Sequence, residues 1–337
     1  MHYRTLGKSG LLVSELALGT MIFGEEGWRG TDEATASRMI HHFLDAGGNH
    51  IDTANVYAGG RSEEILGRAI HDRRDQVVLA TKVRFPMGKG PNAEGLSRYH
   101  ILQSAEASLL RLQTDVIDLL YMHSWDPLTP LEESLRTFDD LVSAGKVRYI
   151  GVSNFKAWQL MKALSTSDAY GWVRFVAAQY QYSLVVRDIE REFIDMCQTE
   201  GVGVTPWGAL GGGFLSGKYN PDKKPTNPDE GRLATARNDW EEAWMRRSNE
   251  QNWQTLSVMN EIVAAHSGAT HSQVALAWLL SRPAVSSVIL GARTMEQLED
   301  NLAAVTLSIS AEELARLDAV SALNDGYPYR MLRSAVR

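Results

Sequence analysis

The sequence predicts an α/β fold, a (β/α)8 TIM barrel with an N-terminal β-hairpin. Three observations carry this expectation. Short apolar runs recur eight times along the 337 residues, and segments of helical periodicity stand between them. The runs are continuous rather than alternating, as strands of a parallel sheet are when both faces are buried. Eight strand–helix units fit one barrel of this length, so a single domain over 1–337 is expected. The rival doubly wound sheet of a dinucleotide-binding dehydrogenase would place G-x-G-x-x-G after a strand, and that spacing is missing.

The elements follow in order. "HYRTLGKSGLLVSELALG" reads as a hairpin turning at Gly7-Lys8-Ser9-Gly10, then a strand. The eight apolar runs are 16–19, 50–53, 77–82, 117–122, 147–152, 176–179, 202–206 and 287–290. Residues 32–46 set Met39, Ile40, Phe43 and Leu44 on one helical face. Residues 98–112 do the same with Ile101, Leu102, Ala105, Leu109 and Leu112, and helices are also expected over 131–144 and 188–199. The stretch 218–250 is too polar and Pro-rich at its start to be core. It reads as a long loop on the active-site face that leads into a helix.

Composition bounds the function. With 44% hydrophobic and 22% charged residues and a net charge of −7, the chain is an ordinary globular protein without a basic run for nucleic acid. The N-terminus lacks the apolar core of a secretory signal, and nothing approaches the roughly 20 apolar residues of a membrane span. A cytoplasmic protein is the expectation. The single cysteine, Cys197, lies in a helical pattern and reads as a small buried hydrophobe. His41 and His42 sit in an amphipathic helix with no acid at metal-ligand spacing, so no metal is expected.

In a barrel, catalytic groups come from the C-terminal ends of the strands. The runs end at Asp52, Lys82, His123, Ser153-Asn154, Gln179, Trp207 and Gly291-Arg293. Singly each has a plain reading: a turn cap for Asp52, a solvated charge for Lys82, a core histidine for His123, a helix N-cap for Ser153-Asn154. Together they set a carboxylate, an ammonium and an imidazole at the same end of three consecutive strands, which packing alone gives no reason to do.

The ordered motifs "GNHIDTANVY", "LATK", "DLLYMH", "YIGVSNF", "AAQYQYS", "GALGGGFLSGKY" and "GARTMEQLEDNL" resemble those of the aldo-keto reductases, from about Tyr3 to Leu323. The resemblance implies a barrel that reduces a small-molecule carbonyl with NADPH, its catalytic residues falling on Asp52, Tyr57, Lys82 and His123. Chemistry gives each a task. Tyr57 supplies a proton; Lys82 is expected to lower the phenol's pKa against the opposing effect of burial; Asp52 keeps Lys82 charged. His123 donates to the carbonyl oxygen.

The same resemblance assigns the cofactor contacts. Ser153, Asn154 and Gln179 hold the nicotinamide amide, with Trp207 stacked on its ring. Leu210 and Gly211 line the pyrophosphate, and Lys218 is a further candidate there. Arg293 meets the 2′-phosphate, and Gln297 and Asn301 the adenosine. By spacing alone, Arg293, Gln297 and Asn301 would share one helical face. Thr294 and Gln297 also form a capping-box pattern, a structural reading of Gln297. Phe23, Trp28, Phe85 and Trp125 follow strands and would rim the carbonyl site, with Tyr327 near its mouth. Potassium-channel β subunits resemble the same family, so a nucleotide-binding regulatory protein is the alternative.

Overall fold

The structure is a computed structural model that describes residues 1–25, 27, 30–239 and 241–334. Strands β1 (Tyr3–Thr5) and β2 (Leu12–Ser14) pair antiparallel as the expected hairpin. Eight parallel strands follow: β3 (Leu16–Gly19), β4 (His50–Asp52), β5 (Val78–Val83), β6 (Ile117–Met122), β7 (Val147–Ser153), β8 (Phe175–Gln179), β9 (Gly203–Val204) and β10 (Val288–Leu290). They run β10-β3-β4-β5-β6-β7-β8-β9. Backbone bonds from Val204 N–H to Ala284 O and from Ser286 N–H to Val204 O, both 2.9 Å, join the last edge to the first and close the barrel.

Helices α1 (Glu33–Asp45), α2 (Arg61–Ala69), α3 (Arg98–Leu112), α4 (Leu131–Ser143), α5 (Ala157–Tyr170) and α6 (Phe193–Glu200) fill successive crossovers. The seventh crossover holds α7 (Arg232–Thr235), α8 (Trp244–Arg247), α9 (Glu250–Ala265) and α10 (His271–Leu280). Then come α11 (Met295–Leu302), α12 (Ala311–Val320) and α13 (Tyr329–Ser334). In α1 the side chain of Asp32 accepts from Thr35 N–H, and the expected face is buried. The helix expected over 188–199 is two pieces: a 3-10 turn, Asp188–Arg191, and α6. Glu192, at φ −139°, is not helical and breaks the run.

Two cores result. Outward strand residues pack on the helices, whereas Leu6, Val13, Val78, Ala80, Leu119, Tyr121 and Ala177 form a separate interior cluster. The hairpin plugs the N-terminal end of the barrel. Gly7 approaches Gly201 so closely that a Cβ would overlap the carbonyl, and Lys8 N–H donates to Gly201 O at 2.8 Å. With that end filled, the open end is the C-terminal one. Strand alternation carries Val78 and Ala80 inward and Lys82 above them, and sets Asp52 above His50 on the neighbouring strand.

Candidate active site

At the open end Lys82 is fully buried. Its Nζ donates to Asp52 Oδ1 at 2.5 Å, to Thr53 O at 2.7 Å and to the Tyr57 oxygen at 3.3 Å. Tyr57 opens a tight turn in which Ala58 is left-handed (φ 47°), which brings the phenol back over strand β5. The His123 ring stands edge-on to Tyr57, 6.0 Å between centroids, and to Phe85 at 4.7 Å. The other carboxylate oxygen of Asp52 accepts from Gln179 Nε2 at 2.8 Å.

The electrostatics differ from expectation at one group. Burial raises the Tyr57 pKa, Lys82 opposes it, and the charge of Asp52 raises it further; the net shift is upward. The phenol is therefore protonated across the neutral range, not brought toward it by Lys82. Burial pushes the Lys82 ammonium down, but Asp52, Tyr57 and hydrogen bonds to both hold its pKa above the ordinary value. Burial, with Lys82 and Arg84 adding to it, drives His123 well below the usual imidazole range, so it is neutral.

Tyr57, Asp52 and His123 line a cavity of about 910 Å³ that runs to Lys218, Arg293, Gln297 and Asn301. Ser153, Asn154, Gln179, Trp207, Leu210 and Gly291 are also on its wall; Gly211 lies behind it, where Gly212 and Gly213 take its place. Asn154, left-handed at φ 54°, donates Nδ2 to His123 O and to Ser153 Oγ, both 3.0 Å. Arg293 precedes the N-cap Thr294 and is not in α11, so only Gln297 and Asn301 share its face. Thr294 caps Gln297 N–H, while Gln297 Oε1 accepts from Arg293 N–H at 2.8 Å.

A dinucleotide phosphate fits this wall. Burial and the nearby Arg293 guanidinium lower the Lys218 pKa, so two cations crowd one stretch that an anion would relieve. Sequence reasoning missed Arg232, Glu242 and Asp300, which also line the cavity. Arg232 pairs with the buried Glu242, ten positions apart within the irregular 218–250 segment, where no periodicity announces them.

The expected aromatic rim is only partly present. Phe85 lines the cavity. Phe23 is wholly buried, because its turn (Phe23 N–H to Thr20 O, 2.9 Å) drives the ring into the core; Met21 and Ile22 face the cavity instead. Trp125 packs on Phe155 and Trp158, away from the cavity. Tyr327 is 82% exposed and off the wall, and Tyr329 ties the C-terminal segment to Glu192 at 2.6 Å. Trp28 lies outside the described residues. Among the described residues no cluster could hold a metal, and no helix is long and apolar enough to cross a membrane.

A family model described as "Aldo/keto reductase family" matches residues 15–322. The chain is 39% identical to the uncharacterized oxidoreductase YrpG of Bacillus subtilis, over 95% of this chain and 96% of that one. It is 37% identical to a "probable voltage-gated potassium channel subunit beta" of Arabidopsis thaliana, over 90% and 91%. Norsolorinic acid reductase of Aspergillus flavus is 34% identical, over 98% of this chain and 84% of that one.

Proposed function

The chain belongs to the aldo/keto reductase family, and from that premise we propose that it is an NADPH-dependent aldehyde or ketone reductase with Tyr57 as the proton donor. The observation that carries the proposal is the contact set around Lys82. A buried ammonium touches both a carboxylate and a phenol, and the phenol opens onto a cavity whose far end carries Lys218 and Arg293. Relatives named as oxidoreductase and reductase support the redox reading.

When bound, the dinucleotide supplies the hydride to the carbonyl carbon. Lys218 and Arg293 hold its phosphates, Gln297 and Asn301 its adenosine end. Ser153, Asn154 and Gln179 hold the carboxamide, and Trp207 offers an aromatic face to the ring. The Arg232–Glu242 pair braces the overlying 218–250 segment. Tyr57 gives its proton to the carbonyl oxygen as charge builds there, and Lys82 stabilises the phenolate left behind. Neutral His123 orients the carbonyl. Met21, Ile22, Val56 and Phe85 make that end of the cavity apolar, which suits apolar and aromatic carbonyls.

Tyr57→Phe tests this directly. Reduction of a panel of aldehydes and ketones, followed by loss of NADPH absorbance, should fall by roughly 10²–10⁴-fold while NADPH binding persists. Near wild-type turnover would remove Tyr57 from its role. Similarity to a potassium-channel β subunit favours one other reading, a nucleotide-binding regulatory protein. That reading predicts NADPH binding without oxidation by any carbonyl in the panel.

A further inference from the structure

Tyr57 is carried to Lys82 by a loop with little regular structure. The chain leaves β4 at Thr53, turns at Tyr57 and enters α2 at Arg61. The start of the loop is tied to β5: Thr53 N–H donates to Ala80 O at 2.9 Å, and Asn55 N–H to Lys82 O at 3.3 Å. Around Tyr57 the bonds are local. Tyr57 N–H donates to Ala54 O and Gly59 N–H to Val56 O, both at 3.1 Å. Beyond Tyr57, Ala58, Gly59 and Gly60 are left-handed in succession, at φ 47°, 65° and 102°.

Two adjacent residues of α2 hold the far end. Glu63 accepts from Thr81 Oγ1 at 2.5 Å and from Arg111 Nε at 2.7 Å, which seats the helix on β5. Ser62 reaches the other way, to the ends of β3 and β4. It is wholly buried, as are Thr20 and Thr53. Its Oγ donates to Thr20 O at 2.8 Å and lies 2.7 Å from Thr20 Oγ1 and 3.0 Å from Thr53 Oγ1. A serine hydroxyl has one hydrogen. With that hydrogen given to the Thr20 carbonyl, the Ser62 oxygen accepts from the Thr53 hydroxyl. Thr53 and Ser62 are the two feet of the Tyr57 loop, nine positions apart.

The foot that Ser62 holds also belongs to the site. Thr53 O accepts from Lys82 Nζ at 2.7 Å, and the same ammonium donates to Asp52 Oδ1 and to the Tyr57 oxygen. An ammonium has three donors, so each has its acceptor here. Neither Ser62 nor Thr53 lines the cavity.

We propose that Ser62 is a positioning residue: its hydroxyl clasps the two feet of the loop that carries Tyr57, and so holds the phenol against the Lys82 ammonium. The inference rests on the reading of Tyr57 as proton donor. The clasp makes the 3.3 Å contact between Lys82 Nζ and the Tyr57 oxygen a property of the folded loop, not one that substrate has to induce. Without the clasp, Glu63 still seats α2. The left-handed run after Tyr57 gains freedom, and the phenol spends less time in reach of the ammonium.

The test is the single-turnover rate of reduction of an aromatic aldehyde by the NADPH-loaded protein, with NADPH affinity measured beside it. Ser62→Ala and Thr53→Val should each lower the rate roughly 3- to 30-fold, short of the roughly 100-fold that a displacement of about 1 Å can cost. Thr53→Ser, which keeps the hydroxyl, should recover most of that loss. The Kd for NADPH should stay within about threefold of wild type, because the clasp acts on the phenol and not on the cofactor wall. In a Tyr57→Phe background Ser62→Ala should cost less than about twofold, because no phenolic proton is left to position. A merely structural role would lower the rate alike in both backgrounds. Equal losses in the two backgrounds, or a Ser62→Ala rate within about twofold of wild type, overturn the proposal. So does a Thr53→Ser rate no higher than that of Thr53→Val, or a fall in NADPH affinity as large as the fall in rate. Where Ser62→Ala fails to fold, Thr53→Val with Tyr57→Phe supplies the same cycle. Tyr57→Phe alone separates the two layers. If it retains turnover, the underlying reading fails; if it is impaired and the clasp variants are not, only the positioning role fails.

Discussion

Replacing Lys82 by Met isolates the electrostatic core of the site. Its Nζ lies 3.3 Å from the Tyr57 oxygen. At an effective dielectric of about 20, a unit positive charge at that separation stabilises a full phenolate by about 5 kcal/mol. If the phenol has lost half its proton at the transition state, about half of that is at stake. The expected loss in kcat then lies between roughly 70-fold and a few thousand-fold. The substitution also strands the buried Asp52 carboxylate, a change that typically costs about 3–5 kcal/mol of stability. A paired variant, Lys82→Met with Asp52→Asn, removes both charges and controls for this. The assay is single-turnover aldehyde reduction with saturating NADPH, beside circular dichroism to confirm folding. A double-mutant cycle decides the mechanism: because Lys82 acts through the phenol, Lys82→Met should cost little once Tyr57 is Phe. Equal losses in both backgrounds, or a single variant within about threefold of wild type, would refute the reasoning.

Three further outcomes are expected. Arg293→Ala should weaken NADPH by roughly 10- to 100-fold, from the loss of charge-assisted hydrogen bonds, and NADH far less; titrations with the two cofactors compare them. His50 is buried and its pKa is lowered to about 4 by burial, so the unfolded chain binds a proton that the fold refuses. Stability from this group is present above the free imidazole value of about 6.5 and is lost as pH falls toward 4, by about 3 kcal/mol. His50→Gln should flatten that decline, read from urea midpoints at neutral and acid pH. Gly151→Ala should destabilise by about 1–3 kcal/mol, because its methyl overlaps the Tyr121 ring; thermal unfolding measures it.

The barrel was legible because its strands are short, continuous and regularly spaced, and because Asp52 and Lys82 interrupt apolar runs where nothing in packing asks for charge. Helix α1 was legible residue by residue, since its apolar face is set by spacing alone. Direction was not legible. Phe23, Trp125 and Tyr327 are aromatic residues near strand or chain ends, yet one turns into the core, one stacks on neighbouring rings and one faces solvent. Only tertiary packing separates those fates. The break at Glu192 escaped for a related reason: periodicity counts side chains and does not see a single backbone angle leave the helical region. Helix α2 offers only Ile65 and Leu66 as large buried apolar residues, too few to announce a stripe.

The sign of the Tyr57 shift shows what Lys82 can and cannot do. Counting charges along the chain, an ammonium beside a phenol should bring its pKa toward neutrality. The fold buries the phenol and sets Asp52 close enough to offset much of that ammonium, so the resting phenol is a weaker acid than free tyrosine. A lowered ground-state pKa would leave part of the enzyme ionised and unable to donate. A raised one keeps every molecule loaded with its proton, while the pre-aligned ammonium 3.3 Å away still lowers the cost of negative charge as that proton departs. On the proposed reading Lys82 therefore works through the transition state, because its pull on the resting phenol is outweighed by burial and Asp52.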